Sequence, residues 1–366
     1  MMEQSLDAVL VSSAPNITYL TGFSGFSKHE REAFLFIAAQ PQASTHETLG
    51  YVLTDGRYTE AVKNNVKDFQ LVQISAKLPF DKALKKLAKK HKIRKLGIEN
   101  DNLTVKEHKA ISKHFNNIYH YSVESMRIIK DQKEIAAIEK ACRLSDKAFD
   151  YILNKIKKGV TEKQLTFEIE FFIKKNGADI SFPPIVAYGK NSAFPHHQSS
   201  DKPLAISDKL VLLDFGVKLN NYCSDMTRTV FLGVANSEYK KMYRTVIEAQ
   251  KIAIDRLVDK VTPSRRSNLA KKILAKHVDK IAREHIISQG YPTIPHSLGH
   301  GVGLEVHEAP RLSPKSKDIL KPGMVFTIEP GIYIPGFGGV RIEDIVVLEN
   351  SVPRLLTESP KETIQI

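Results

Sequence analysis

At 366 residues the chain is long enough for two domains, or for one large domain with an appended lobe. Apolar residues at 42% and charged residues at 26% are ordinary for a soluble globular protein, and no run approaches the roughly 18 to 20 uninterrupted apolar residues of a membrane span. The formal charge of +13 would suit a nucleic acid or an acidic membrane surface, but no zinc-finger spacing or RNP-type aromatic string accompanies it, so neither partner is expected.

The opening MMEQSLDAVL lacks the basic and apolar stretches of a secretory signal, and Cys142 and Cys223 make no disulfide framework. A cytoplasmic protein is the expectation. DAVLVSS (7–13), AFLFIAA (33–39), YVLTD (51–55) and KLGIEN (95–100) read as strands with helical stretches between them, which predicts a three-layer or doubly wound α/β lobe. The lysine-rich run at 82–95 reads as a helix with Leu84, Leu87 and Ala88 on its apolar face and lysines around the rest, a solvated face rather than a nucleic-acid patch. NITYLTGFSG (16–25) and DGRY (55–58) carry no identifiable chemistry by themselves, and turn plus packing accounts for both.

A boundary falls near 122–130, predicting domains at 1–125 and 126–366. Ile135, Ile138, Cys142, Ser145, Phe149, Ile152 and Ile156 recur at three- and four-residue steps and mark a long amphipathic helix that Gly159 ends. Thr161 to Gln164 then matches a capping box opening a second helix, which runs to Asn176-Gly177. Cys142 lies on the apolar stripe and reads as a buried structural thiol. From about 185 strands joined by turns take over, helices follow at 237–259 and 266–288, and strands return from MVFTIEPGIYIP through GVRIEDIVVLE. That order suggests two similar α+β halves.

The chemistry concentrates in Asp214, Asp225, His300, Glu329 and Glu343, within the strings LLDFG, CSDMTR, LGHGVG, TIEPG and RIEDIVV. Alone, Asp214 and Asp225 could be strand-end turn formers. Gly216, Asn220 and Asn221 between them permit a hairpin that would bring both carboxylates to one site. Asp214 ends an apolar run, where a charge is costly unless something compensates it. Glu329 and Glu343 likewise emerge from apolar strands. Strict alternation would put Arg341 and Glu343 on one strand face, where they would pass for an ordinary ion pair. Four such acids with one imidazole suit a pair of divalent ions better. His296, His300 and His307 invite a zinc reading, but no tetrahedral Cys/His set or His-Glu-x-x-His motif occurs.

The order Asp, Asp, His, Glu, Glu and the strings around it resemble the Xaa-Pro peptidase group of the pita-bread metallopeptidases, meaning proline dipeptidase and aminopeptidase P. NITYLTGFSG and DGRY resemble the creatinase-like N-terminal domain of the same group. The resemblance implies a creatinase-like α/β domain followed by an α+β pita-bread catalytic domain with pseudo-twofold halves. It implies two divalent ions, Mn²⁺ first, with Co²⁺, Zn²⁺ or Fe²⁺ able to occupy the same ligands. It makes Asp214 a chelator of one ion, Asp225 and Glu343 bridges, His300 a ligand, and Glu329 both a ligand and the group that relays a proton from the attacking water. His307 matches a histidine that bonds the substrate carbonyl, His196 of FPHHQ one near the proline nitrogen, and His296 one lining the pocket after the scissile bond. Arg341 and Tyr333 would contact substrate or support Glu343. The implied reaction is hydrolysis of the bond before proline in short peptides, and the implied assembly is a homodimer.

Methionine aminopeptidases share the five ligands, but the N-terminal lobe and the ITYLTGF phrase argue against one. A creatinase-type hydrolase shares both lobes without needing the full metal set. A non-catalytic binder on this fold would be expected to lose ligands, and none is lost; a basic nucleic-acid binder stays open only as a secondary activity, which low, salt-sensitive DNA affinity unaffected by chelator would reveal.

Overall fold

Odd and even residues of the first strands go to different cores, and this builds the layers of the N-terminal unit. The computed structural model describes residues 5–39, 49–258, 273–349 and 352–366, and it divides at Arg127 and Ile128. In the first unit β1 (Ala8–Val11), β2 (Ala33–Ala38), β3 (Gly50–Thr54), β4 (Gln70–Gln73), β5 (Lys95–Ile98) and β6 (Asn117–His120) form one sheet in the order β4-β3-β2-β1-β5-β6. Leu10, Phe36 and Leu53 enter one core, while Val9, Val11, Leu35 and Val52 enter the other, as the two-residue period of a strand requires. The sheet is mixed, with β1–β2 and β2–β3 antiparallel and the remaining pairs parallel.

Helices α1 (Ala14–Thr21), α2 (Thr59–Asn65), α3 (Phe80–Lys90), α4 (Val105–Ser112) and α5 (Glu124–Arg127) complete the unit. The lysine-rich helix α3 buries Ala83, Leu84 and Leu87, with Ala88 half-buried beside them. It stops at Lys90, short of the expected Arg94 and Lys95, because Lys92 turns the chain at φ 55° and the sheet takes Lys95–Ile98. The NITYLTG phrase forms α1, where the Asn16 side chain bridges Glu99 and Arg127.

In the second unit α6 (Gln132–Leu153) starts at a capping box between Asp131 and Glu134 and buries Ile135, Ile138, Cys142, Ser145, Phe149 and Ile152. It ends at Leu153 rather than at Gly159; Ile156 stays buried beyond the helix, and Gly159 serves a later turn at φ 91°. Helix α7 (Glu162–Lys175) opens with both bonds of the Thr161–Gln164 capping box. After β7 (Asp179–Ile180), strands β8 (Ile185–Tyr188), β9 (Leu210–Phe215), β10 (Val217–Leu219), β11 (Tyr222–Cys223) and β12 (Met226–Phe231) form sheets ordered β11-β10-β7 and β12-β9-β8. Asn220 and Asn221 turn β10 into β11 at φ 49° and 73°, the left-handed geometry of a tight hairpin.

Helix α8 (Ser237–Leu257), β13 (Ile273–Leu274) and helix α9 (Ala275–Ser288) follow; the expected helical residues 259 and 266–272 lie outside the described residues. Next come β14 (Gly299–Gly301), β15 (Glu308–Leu312), β16 (Ile319–Leu320), β17 (Val325–Ile328), β18 (Gly331–Ile334), β19 (Gly338–Arg341), β20 (Asp344–Glu349) and β21 (Val352–Leu355). Here the main sheet runs β15-β14-β17-β20-β21, and β18 pairs with β19. Helices α6 and α7 share a core with β8, β9 and β12, and α8 and α9 share another with β17, β19 and β20. Two halves, each a helix pair over antiparallel strands, result. Among the described residues no helix is long and apolar enough to cross a membrane.

Beyond β21 the chain returns to the first half. Phe231 donates its N–H to the Ile364 carbonyl at 2.9 Å and accepts from the Ile366 N–H at 2.9 Å.

Candidate metal centre

Strands β9 and β12 pair antiparallel with Thr227 opposite Asp214, so the hairpin beyond them returns Asp225 to the same end of the sheet. His300 sits on β14, Glu329 follows β17, and Glu343 lies between β19 and β20. These five side chains meet. Asp214, Asp225 and Glu343 form one triad of ligand atoms, His300, Glu329 and Glu343 a second, and Asp225, His300 and His307 a third, each with its atoms within 4.8 Å of one another. His300 Nε2 is 3.5 Å from both Asp225 Oδ2 and Glu329 Oε1.

The glycines around His300 are there for close approach. A Cβ on Gly299 would lie 1.9 Å from the Thr327 carbonyl oxygen, and one on Gly301 2.1 Å from that of Ala309. The flanking strands can therefore close on the histidine only if these positions stay bare.

Packed like this, the acids are unstable as anions. Burial, then repulsion from Glu343, Asp214 and Glu329, pushes Asp225 well above the usual carboxylate range. Burial and Glu343 do the same to Glu329. Burial and Asp214 push Glu343 up to about 7. Asp214 is raised less, since Arg341 partly offsets its burial. The neighbouring imidazoles are driven towards neutrality, His300 to about 3 and His296 to about 4, with burial the main cause in both. Asp225 Oδ1 and Glu343 Oε1 are buried and accept no hydrogen bond. Orphaned carboxylate oxygens converging with a neutral imidazole are a donor set for hard divalent cations. The residues fit the expected metals.

A polar frame holds the acids. Arg341, only 3% exposed, pairs through Nη2 with Asp214 Oδ2. Its Nε donates to the Thr227 hydroxyl at 3.0 Å, which donates in turn to Glu343 Oε2 at 2.7 Å. Arg341 thus supports Glu343 through Thr227 and not by the direct strand pair that alternation suggested, because β19 ends at Arg341 and β20 begins only at Asp344. Tyr333 accepts from Arg341 Nη1 at 2.9 Å and lies 2.8 Å from His296 Nε2. His296 Nδ1 is 3.8 Å from Glu329 Oε2. Asp344, which is fully buried, pairs with Arg228 at 2.6 Å and Lys361 at 2.9 Å. Arg228 also donates to the carbonyls of Glu343, Ser359 and Pro360.

His307 is exposed, with its ring 4.3 Å from that of His300. FPHHQ is not extended. It turns, leaving His196 exposed while His197 Nε2 reaches Glu162 Oε2 at 2.8 Å. His196 is near enough for Asp214, His296 and His307 to feel its charge. The supporting roles of Thr227, Arg228, Glu162 and His197 escaped the sequence reading. For Thr227 and Arg228 the visible sign was three polar residues, Thr227, Arg228 and Thr229, together in the strand MTRTVF.

Residues 136–350 match the model of metallopeptidase family M24, and residues 1–129 match the creatinase/prolidase N-terminal domain. An Xaa-Pro dipeptidase of Pyrococcus horikoshii is 37% identical over 374 residues, covering 100% of this chain and 96% of its own. Among solved structures, an Xaa-Pro dipeptidase from Bacillus anthracis superposes with a TM-score of 0.87 at 35% identity, covering 100% of this chain and 96% of that one. An X-Pro aminopeptidase from Thermotoga maritima gives 0.83 at 32% identity, with 99% and 98% covered.

Proposed function

From the premise that the chain belongs to metallopeptidase family M24, we propose that it hydrolyses the peptide bond preceding proline in short peptides. The observation that carries this is the gathering of Asp214, Asp225, His300, Glu329 and Glu343 into overlapping triads in a chain whose relatives include Xaa-Pro dipeptidases matched along its whole length.

In this assignment Asp214 would hold one ion, Asp225 and Glu343 would be shared between the two, and His300 and Glu329 would complete the second position. When bound, the two ions supply Lewis-acid charge that activates a water and polarises the scissile carbonyl. Arg341 holds Asp214 in place and, through Thr227, fixes Glu343 Oε2 so that Oε1 points into the centre. Glu329 takes the proton from the attacking water; its Oε2 faces His296, which burial keeps neutral. His307, on the exposed side of His300, donates to the carbonyl oxygen as negative charge builds there. His196 delivers a proton towards the proline nitrogen, which has no N–H of its own. His296 and Tyr333 border the place of the proline ring, with Arg341 behind them.

Mn²⁺ is the proposed metal, a homodimer the proposed assembly and the cytoplasm the proposed compartment, in keeping with two buried thiols. The test is release of alanine from matched Ala-Pro and Ala-Pro-Ala by chelated and Mn²⁺-loaded protein. Metal-dependent cleavage of the dipeptide alone identifies a proline dipeptidase, and preference for the tripeptide an aminopeptidase P. If neither is cut with Mn²⁺, Co²⁺, Zn²⁺ or Fe²⁺ while Met-Ala-Ser is, the proline assignment is wrong.

A further inference from the structure

His196 stands on an exposed turn, and a reactive side chain on a turn is only as well placed as the backbone beneath it. One buried carboxylate holds that backbone. Glu162, at the first turn of α7, has no exposed side-chain surface. Its Oε1 accepts the Tyr188 N–H and the Asn191 side-chain amide, each at 2.8 Å. Its Oε2 accepts His197 Nε2 at 2.8 Å, the Ser200 N–H at 2.9 Å and the Ser200 hydroxyl at 2.7 Å. All of these donors lie in the segment 188–200, on both sides of His196.

The same segment is gripped from the opposite side. Ser192 Oγ accepts the Gly339 N–H at 2.8 Å, and Arg341 Nη1 lies 3.5 Å from the Pro195 carbonyl, one residue before His196. Arg341 is also the partner of Asp214, so the turn and the carboxylate site share one guanidinium. A buried carboxylate is tolerable only while its donors stay in place. Glu162 therefore favours one arrangement of the loop over all looser ones.

We propose that Glu162 and His197 are a positioning pair that fixes His196 for its part in the reaction, the second histidine of FPHHQ serving as anchor for the first. This rests on the proton-delivery role given to His196 above. Neither residue of the pair is assigned to metal or substrate, so they act on turnover through His196.

The test compares kcat, KM and bound metal for wild type, Glu162→Gln, His197→Ala, His197→Gln, His196→Ala and the double variant Glu162→Gln/His196→Ala, with hydrogen exchange of the segment 186–200. A Gln at 162 keeps the volume but sets an NH₂ against the donors of His197 and Ser200. Glu162→Gln and His197→Ala should each lower kcat about tenfold, with KM within about twofold and metal content unchanged. His197→Gln, which can still donate to Glu162, should recover most of the rate. Exchange in 186–200 should accelerate in Glu162→Gln, whatever the substrate. Glu162→Gln should cost nothing further once His196 is gone, because the two losses are one. An equal additional loss in the His196→Ala background, or unchanged exchange, overturns the proposal. A wild type that cuts no Xaa-Pro substrate removes the role of His196 and the proposal with it, whereas unchanged exchange in an active enzyme overturns only the anchor.

Discussion

Replacing Glu343 with Gln should stabilise the chelated protein at alkaline pH, although it removes a proposed metal ligand. Burial and Asp214 raise the Glu343 carboxyl from 4.5 to about 7. A raised acid binds its proton more tightly in the folded chain, so stability is highest below about 4.5 and falls as pH rises through about 7. At ~1.4 kcal/mol per pH unit the whole difference is about 3 kcal/mol, of which about 2 to 3 develops between pH 5 and pH 8. His296 and His300 work the other way below 6.5, because their depressed values withdraw stability as pH falls. Their contribution is common to both proteins and cancels in the difference.

The assay is urea unfolding in chelator at pH 5 and pH 8, followed by circular dichroism since the chain has no tryptophan. The transition that Mn²⁺ moves belongs to the metal-bearing unit. Relative to wild type, the variant should gain about 2 to 3 kcal/mol between the two pH values, and should gain less from added Mn²⁺ than wild type does. A difference that stays flat with pH, or moves against the variant, would refute the view that these carboxylates are held together at the expense of their charge.

Three more outcomes follow from the same geometry. Titrating Mn²⁺ into chelated protein at pH 6 should expel protons from the raised carboxyls, Glu343 among them, read by calorimetry in buffers of different ionisation enthalpy; zero protons would contradict the raised values. Arg341→Met leaves the buried Asp214 without its cation and should cost about 3 kcal/mol or more in urea unfolding of the metal-free protein at pH 7, and a loss under about 1 would mean the pair holds nothing. Gly299→Ala must push β14 away from the Thr327 carbonyl and should lower bound metal measured by mass spectrometry, whereas Gly177→Ala, at φ 76° in open space, should cost about 1 kcal/mol and leave metal content alone.

The four acids and the imidazole were legible together because Asp214, Glu329 and Glu343 each end or follow an apolar strand, where a charge needs a reason to be. The hairpin between Asp214 and Asp225 was legible for a local reason, the Asn-Asn turn. The frame was not. Arg341 reaches Asp214 and Thr227 across sequence separations of 127 and 114, and no local pattern records such pairs. Alternation failed at Arg341 and Glu343 because it assumes an unbroken strand. Strands β4 and β6 went unseen because their sequences, QLVQ and NIYH, are exposed edge strands with no apolar run. The contact of His197 left no local trace, because its partner, Glu162, lies 35 positions earlier at a helix start.

The supports of this centre also set an order of events. Arg228 reads the carbonyls of Ser359 and Pro360, Thr357 bonds Asp344 at 2.7 Å, and Ile364 and Ile366 pair with Phe231. Thr357, Ser359, Pro360, Ile364 and Ile366 all follow Glu343, so a growing chain can contain every proposed ligand and still lack the parts that set them. Folding during synthesis proceeds from the N-terminal side, and these segments emerge after the proposed ligands. Removing the chain from Thr357 onward would therefore keep all five proposed ligands while taking away the contacts that hold Arg228 and Asp344 beneath them.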